Sequence, residues 1–185
     1  WVATIDPCFD DCALLNNAPV EIIDVSAPNA VTYYYAVAAF DERGHESDLS
    51  YEEVSDTPRP EGLAQIANGL VDGDNSGFDL SRSEVVAEDD CGADFFYTFD
   101  EFGGYITAGS LCFTTDLTGI QDMGFTGDFE EIGSAPEVGY APSQVVEAIE
   151  GHTYVLLTRD EHYAKMRISD LDAEDLTFQW AYQQQ

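Results

Sequence analysis

Residues 154–182 read YVLLTRDEHYAKMRISDLDAEDLTFQWAY. Tyr154 to Thr158 is an apolar run of strand length, and Arg159-Asp160-Glu161 is a polar break. Tyr163 to Ile168 then alternates, with Ala164, Met166 and Ile168 on one side and Lys165 and Arg167 on the other. Successive strand residues point to opposite faces, so the first set is expected inward and the second outward. Leu176 to Tyr182 repeats the pattern, with Phe178, Trp180 and Tyr182 sharing a face. Three such segments joined by short polar breaks predict an antiparallel meander, and with it an all-β fold.

Upstream, Phe95 to Phe99 (FFYTF) predicts another strand, Gly103-Gly104 a turn, and Tyr105-Ile106-Thr107 a return continued by Leu111-Cys112-Phe113. Residues 116–141 are glycine-rich and predict a long irregular loop. Pro142 to Ile149 fits a short helix or a strand, and periodicity does not choose between them. Further back, Thr57-Pro58-Arg59-Pro60-Glu61-Gly62 is a stiff polar stretch whose prolines lack ladder donors. It places a domain boundary, with one β domain over residues 1–57, a linker over 58–62 and an antiparallel β domain over 63–185. In the first domain Val31 to Phe40 (VTYYYAVAAF) predicts a strand with Tyr35, Val37 and Ala39 on one face. Asp41 to His45 is a turn, and Glu52 to Thr57 a returning strand.

Composition bounds the function. The chain has 185 residues, with 37 Asp and Glu against 6 Lys and Arg, for a formal charge of -31. Nucleic acid and anionic membrane would be repelled and are excluded as partners. The 12% aromatic content excludes a disordered acidic tail. No run of eighteen apolar residues occurs, so no membrane-spanning helix is expected. Lys165 is the one lysine. So acidic a surface stays hydrated in concentrated salt, where its self-repulsion is screened. A halophilic source and an acidic secreted protein that binds divalent cations both fit. The start at Trp1 predicts a processed form or a fragment.

Thr32 to Asp41, Gly44-His45-Glu46-Ser47 and Val54 to Pro58 together resemble the closing half of a bacterial fibronectin type III domain. The resemblance covers about residues 20–60 and implies a partial or completed sandwich with Tyr35 in its penultimate strand. A whole domain of that type needs about seven strands and about a hundred residues. Upstream strands, or strands donated by a neighbour, would supply the rest. Gly77 to Ser81, Gly151 to Tyr154 and Tyr163 to Ile168 are similar to the HmuY-like β domain of bacterial surface lipoproteins. That similarity implies an extracellular, mainly antiparallel fold at the cell surface. The haem binding of its founding members is not carried over, because of the histidine spacing given below.

Four cysteines, Cys8, Cys12, Cys91 and Cys112, point to an oxidising compartment. Three pairings are possible; Cys8–Cys12 and Cys91–Cys112 keep each bridge within one segment. Zinc is disfavoured, because Cys91 and Cys112 are too dispersed for tight paired spacing. Calcium is the expected cation. Asp72-x-Asp74-x-Ser76-Gly77 sets oxygens at alternate positions before a glycine turn, in the manner of an EF-hand opening. The twelfth position is Ser83, with Glu84 one residue late, and Asp79 can substitute. The competing interpretation is a solvated acidic loop. His152 and His162 flank one strand about ten positions apart, so at roughly 3.3 Å per residue they are more than 20 Å apart and share no metal. His45 belongs to a turn. No Gly-x-Ser-x-Gly elbow, His-Glu-x-x-His or phosphate loop occurs, and any pair among so many acids is uninformative, so no enzyme is expected. Residues such as Tyr33, Phe95, Trp180 and Tyr182 could stack on sugars, but strand cores favour aromatics.

The resulting expectation is a non-enzymatic extracellular or cell-surface protein, structural or adhesive, that contacts other protein subunits or surface proteins. A homo-oligomer or filament completed by strand donation is one form of it. The alternatives are a ligand-binding module for carbohydrate or haem, and an accessory region of a secreted hydrolase.

Overall fold

The structure is a computed structural model and describes residues 27–39, 41, 43–51, 54–112 and 118–183. Cys8 and Cys12 lie outside the described residues. The remainder is all-β, as expected, with every strand pairing antiparallel.

The first sheet is two-stranded: β1 (Tyr33–Tyr35) pairs with β2 (Val54–Asp56), Tyr34 opposite Ser55. The pairing continues beyond β1. Ser50 N donates to Val37 O at 2.7 Å and Ser47 N to Ala39 O at 2.8 Å. The turn at its tip is built by Asp41, whose Oδ1 accepts from the backbone N–H of Arg43 and of His45, with Gly44 at φ +80°.

Two five-stranded sheets form the sandwich. One contains β3 (Glu61–Ala67), β8 (Gly119–Phe125), β10 (His152–Leu157), β11 (Tyr163–Leu171) and β12 (Asp175–Tyr182), in the order β3-β12-β11-β10-β8. The other contains β4 (Gly77–Asp79), β5 (Glu84–Val86), β6 (Phe95–Asp100), β7 (Gly103–Ala108) and β9 (Val145–Glu147), in the order β5-β4-β6-β7-β9. Glu61 and Gly62, expected in the linker, already belong to β3 and pair with Ala181 and Trp180.

The register converts the sequence alternation into a core. Tyr154 lies opposite Met166, and Met166 opposite Trp180; one step along, Ile168 lies opposite Phe178, and Phe178 opposite Ala64. These side chains meet Phe78, Phe95, Tyr97 and Ile106 of the second sheet. The Phe178 ring stands edge-on to both Phe78 and Phe95, with centroids 5.4 Å apart in each case. Edge-on contact suits the ring quadrupole and adds about 0.5–1.5 kcal/mol per pair beyond burial.

Several sequence expectations need correction. Gly103 and Gly104 open β7, while Glu101 and Phe102 make the turn. Gly103 has φ +136°, and a Cβ on Gly104 would come within 3.0 Å of the Tyr97 hydroxyl. Leu111 and Cys112 are turn residues and do not extend the strand. Residues 119–125, expected in a loop, form β8. Only Ile120 of that strand is a β-branched residue, and pairing with β10 selects the conformation that its own composition does not. Residues 145–147 resolve the helix-or-strand choice as β9.

Candidate functional site

The acidic loop was the leading metal candidate. Asp72 precedes the 3-10 turn Gly73–Asn75 without a side-chain bond to its backbone, and its Oδ2 accepts from Asn75 Nδ2 at 2.9 Å. Asp74 lies inside that turn. Ser76 is fully buried and donates to Gly73 O at 3.1 Å and Glu88 Oε2 at 3.2 Å. Asp79 is buried in β4, and Arg82 holds it. Its Oδ2 accepts from Arg82 Nε at 2.6 Å, and its Oδ1 from Arg82 N at 2.8 Å and Ser81 Oγ at 2.7 Å. Burial pushes the Asp79 carboxyl up, but these bonds and the guanidinium charge bring it below the usual range. Glu84 is exposed and opposite Asp79 across the β4–β5 pair. Thus Asp72, Asp74, Ser76, Asp79 and Glu84 share one loop and hairpin, with Asp79 committed to an arginine. Among the described residues, no three His, Cys, Asp or Glu side chains are grouped to hold a metal ion.

Around the Cys91–Cys112 bridge, expected from the sequence, a polar cluster that sequence reasoning missed joins the sandwich sheets. The Cys91–Cys112 disulfide is present, with Cα atoms 5.1 Å apart. The Arg159 guanidinium, from the β10–β11 turn, donates to the Cys91 carbonyl. Asp94, 6% exposed, accepts from Leu80 N at 2.8 Å. Burial, with the charges of Asp79 and Asp160 nearby, pushes its carboxyl up to about 7. In the turn, Asp160 Oδ1 accepts from Thr158 Oγ1 and Oδ2 from the Tyr182 hydroxyl, both at 2.5 Å. His162 Nδ1 lies 2.7 Å from that hydroxyl and 3.1 Å from Asp160 Oδ2. These groups fix the turn to the end of β12. The available signal was faint: Asp160 and His162 two apart, with Tyr182 on an inward strand position.

The other histidines also lie against carboxylates, His152 on Asp122 at 3.0 Å and His45 on Asp41 at 2.9 Å. Lys165 points outward from β11 as expected, yet it is 8% exposed. Residues 129–132 cover it, and its Nζ donates to Phe129 O at 2.8 Å, Glu130 Oε2 at 3.1 Å and Ile132 O at 3.2 Å. Arg59 Nη2 reaches the same Glu130 at 3.0 Å. Burial raises the Glu130 carboxyl, but both cations bring it below its usual range.

The β1–β2 unit contrasts with this well-satisfied body. Its large apolar side chains face solvent: Tyr34 is 72% exposed, Val37 70%, Leu49 64% and Val54 64%, and Tyr51 is fully exposed. A two-stranded sheet is marginal in water without a packed face. This unit is the candidate contact site. No family model matches the chain, and no curated protein or solved structure matches it.

Proposed function

We propose that the chain is a non-enzymatic extracellular or cell-surface structural or adhesive protein acting through protein–protein contacts. In this reading the β1–β2 unit is the closing part of a fibronectin type III-like sandwich, and a neighbouring chain completes it, as in a filament. The observation that carries the proposal is the exposure of five large apolar side chains, Tyr34, Val37, Leu49, Tyr51 and Val54, over the β1–β2 unit. Apolar side chains exposed in such number mark interaction sites. The Cys91–Cys112 bridge supports an oxidising location, since such bridges persist outside the reducing cytosol. The -31 charge supports assembly in salt, where repulsion between like-charged copies is screened.

The test is native mass spectrometry and electron microscopy of the full chain across a salt series. Assemblies that Val37→Asp and Tyr51→Asp disperse are the expected result. A stable monomer whose β1–β2 amides resist hydrogen exchange would end the proposal.

A further inference from the structure

β3 is an edge strand among the described residues. Among the described residues, β12 lies on one side of it and no strand lies on the other. Two bonds set the phase of the pairing: Asn68 N donates to Glu174 O at 2.7 Å, and Tyr182 N to Pro60 O at 2.9 Å. Bonded residues alternate along an antiparallel ladder. Gly62, Ala64 and Ile66 therefore bond toward β12, opposite Trp180, Phe178 and Leu176. The backbone N–H and C=O groups of Glu61, Leu63, Gln65 and Ala67 point the other way, into the open edge.

Other edges of the sandwich are guarded. β5 and β9 have three residues each. β8 is as long as β3, but Ala141 N donates to Ile120 O along it. β3 runs seven residues in unbroken register, with no lysine, proline or bulge. Those are the devices by which proteins keep strand edges from recruiting partners. Leu63, on this edge, is 76% exposed. Beside it an open groove of about 400 Å³ is lined by residues including Gln65, Ala67, Val85, Glu174 and Asp175.

The charge selects the occupant. The charged groups lining the groove, Glu174 and Asp175, are acidic, as is Glu84 beside Val85, while Glu61 at the start of β3 is paired with Arg59 at 3.4 Å. A second copy docking here would bring the same acidic groups into direct contact with these, where salt screens least. We propose that the β3 edge docks an extended, basic segment of another protein as a sixth strand of the β3-β12-β11-β10-β8 sheet. Backbone bonds to Leu63, Gln65 and Ala67 hold it, apolar side chains enter the groove beside Val85, and lysines or arginines meet Glu174 and Asp175. Strand addition of this type takes affinity from the backbone and specificity from alternate side chains. The inference rests on the view of the chain as a contact protein but uses a different surface from β1–β2.

The test titrates the full chain with a seven-residue peptide alternating lysine and valine, its glutamate–valine counterpart, and the lysine peptide N-methylated along its bonding edge. Binding of the lysine peptide at least tenfold tighter than either control is expected. Gln65→Pro removes an edge N–H where proline is tolerated, and Leu63→Lys adds a guarding charge; each should weaken binding at least tenfold while circular dichroism is unchanged. An N-methylated peptide that binds equally well, equal binding of the glutamate peptide, or β3-dependent dimerisation of the chain itself would overturn the proposal. Val37→Asp and Tyr51→Asp should leave peptide binding intact, so failure of the β1–β2 assembly and failure of the β3 edge are separately visible.

Discussion

The Tyr182 hydroxyl, at the end of the last strand, donates to Asp160 Oδ2 at 2.5 Å, in the turn between β10 and β11. Burial raises the tyrosine pKa, and the neighbouring Asp160 charge raises it further, so the phenol remains a donor. Burial also raises Asp160, but bonds from Thr158, Tyr182 and His162 bring it below the usual carboxylate range. Tyr182→Phe keeps the ring in the core and removes one charge-assisted bond. The expected loss is about 1.5–3 kcal/mol in urea unfolding. An unchanged midpoint would show that the turn is held by other contacts.

Asp94 gives the opposite sign of pH dependence from Asp79. Its folded pKa, about 7, lies above the ordinary value of 3.8. The native state then binds the extra proton, so stability is full below the ordinary value and falls as pH rises from about 4 to about 7. Asp79 is lowered, and its contribution is lost instead as pH falls below the ordinary carboxylate range. Asp94→Asn retains an acceptor for Leu80 N and removes the buried charge. Relative to the parent, this variant is expected to gain stability steadily across that window, on the order of a few kcal/mol by pH 8. A difference that does not vary with pH would refute the assignment.

The Cys91–Cys112 bridge spans 21 residues of sequence. Closing a loop of that size restricts the unfolded chain by about 3 kcal/mol in the entropic account. Reduction, or Cys91→Ser with Cys112→Ser, is expected to lower unfolding free energy by about that amount. It should also loosen the Arg159 contact with the Cys91 carbonyl. Comparing chemical denaturation with and without reductant measures the first effect. Coincident curves would mean that the bridge adds nothing to stability.

What was legible in the sequence follows from which information is local. The alternation of Ala164, Met166 and Ile168, and of Phe178, Trp180 and Tyr182, lies within single strands, and all six are buried where that alternation places them. β8 was not legible because Gly119 and Gly124 flank a segment with one core residue, and its strand state comes from β10. The acidic spacing from Asp72 to Glu84 was visible, but the capture of Asp79 by Arg82 depends on a turn with Ser83 at φ +59°. Asp94 could be seen in the sequence as one acid near Glu88, Asp89 and Asp90, but nothing local marks it as the buried carboxyl among 37 acids. Lys165 was assigned the right face and the wrong environment, since its cover arrives from residues 129–132, more than thirty positions away.

That cover yields the last prediction. Lys165 Nζ satisfies two backbone carbonyls and Glu130, and sits 4.2 Å from the Phe129 ring centroid. Buried ammonium groups are retained only where acceptors replace water, and removing one partner strands the others. Lys165→Met preserves most of the aliphatic stem but leaves the carbonyls of Phe129 and Ile132 without this donor. The expected loss is about 2–4 kcal/mol, since breaking such a buried set costs up to about 3–5 kcal/mol and the retained stem offsets part of it. Arg59 still reaches Glu130, so the segment is tethered at one point rather than released. Hydrogen exchange locates the effect: amides of residues 129–135 should lose protection before those of β6 and β7. Uniform loss across both sheets would mean that Lys165 supports the core as a whole, and retained protection that the segment is held without it.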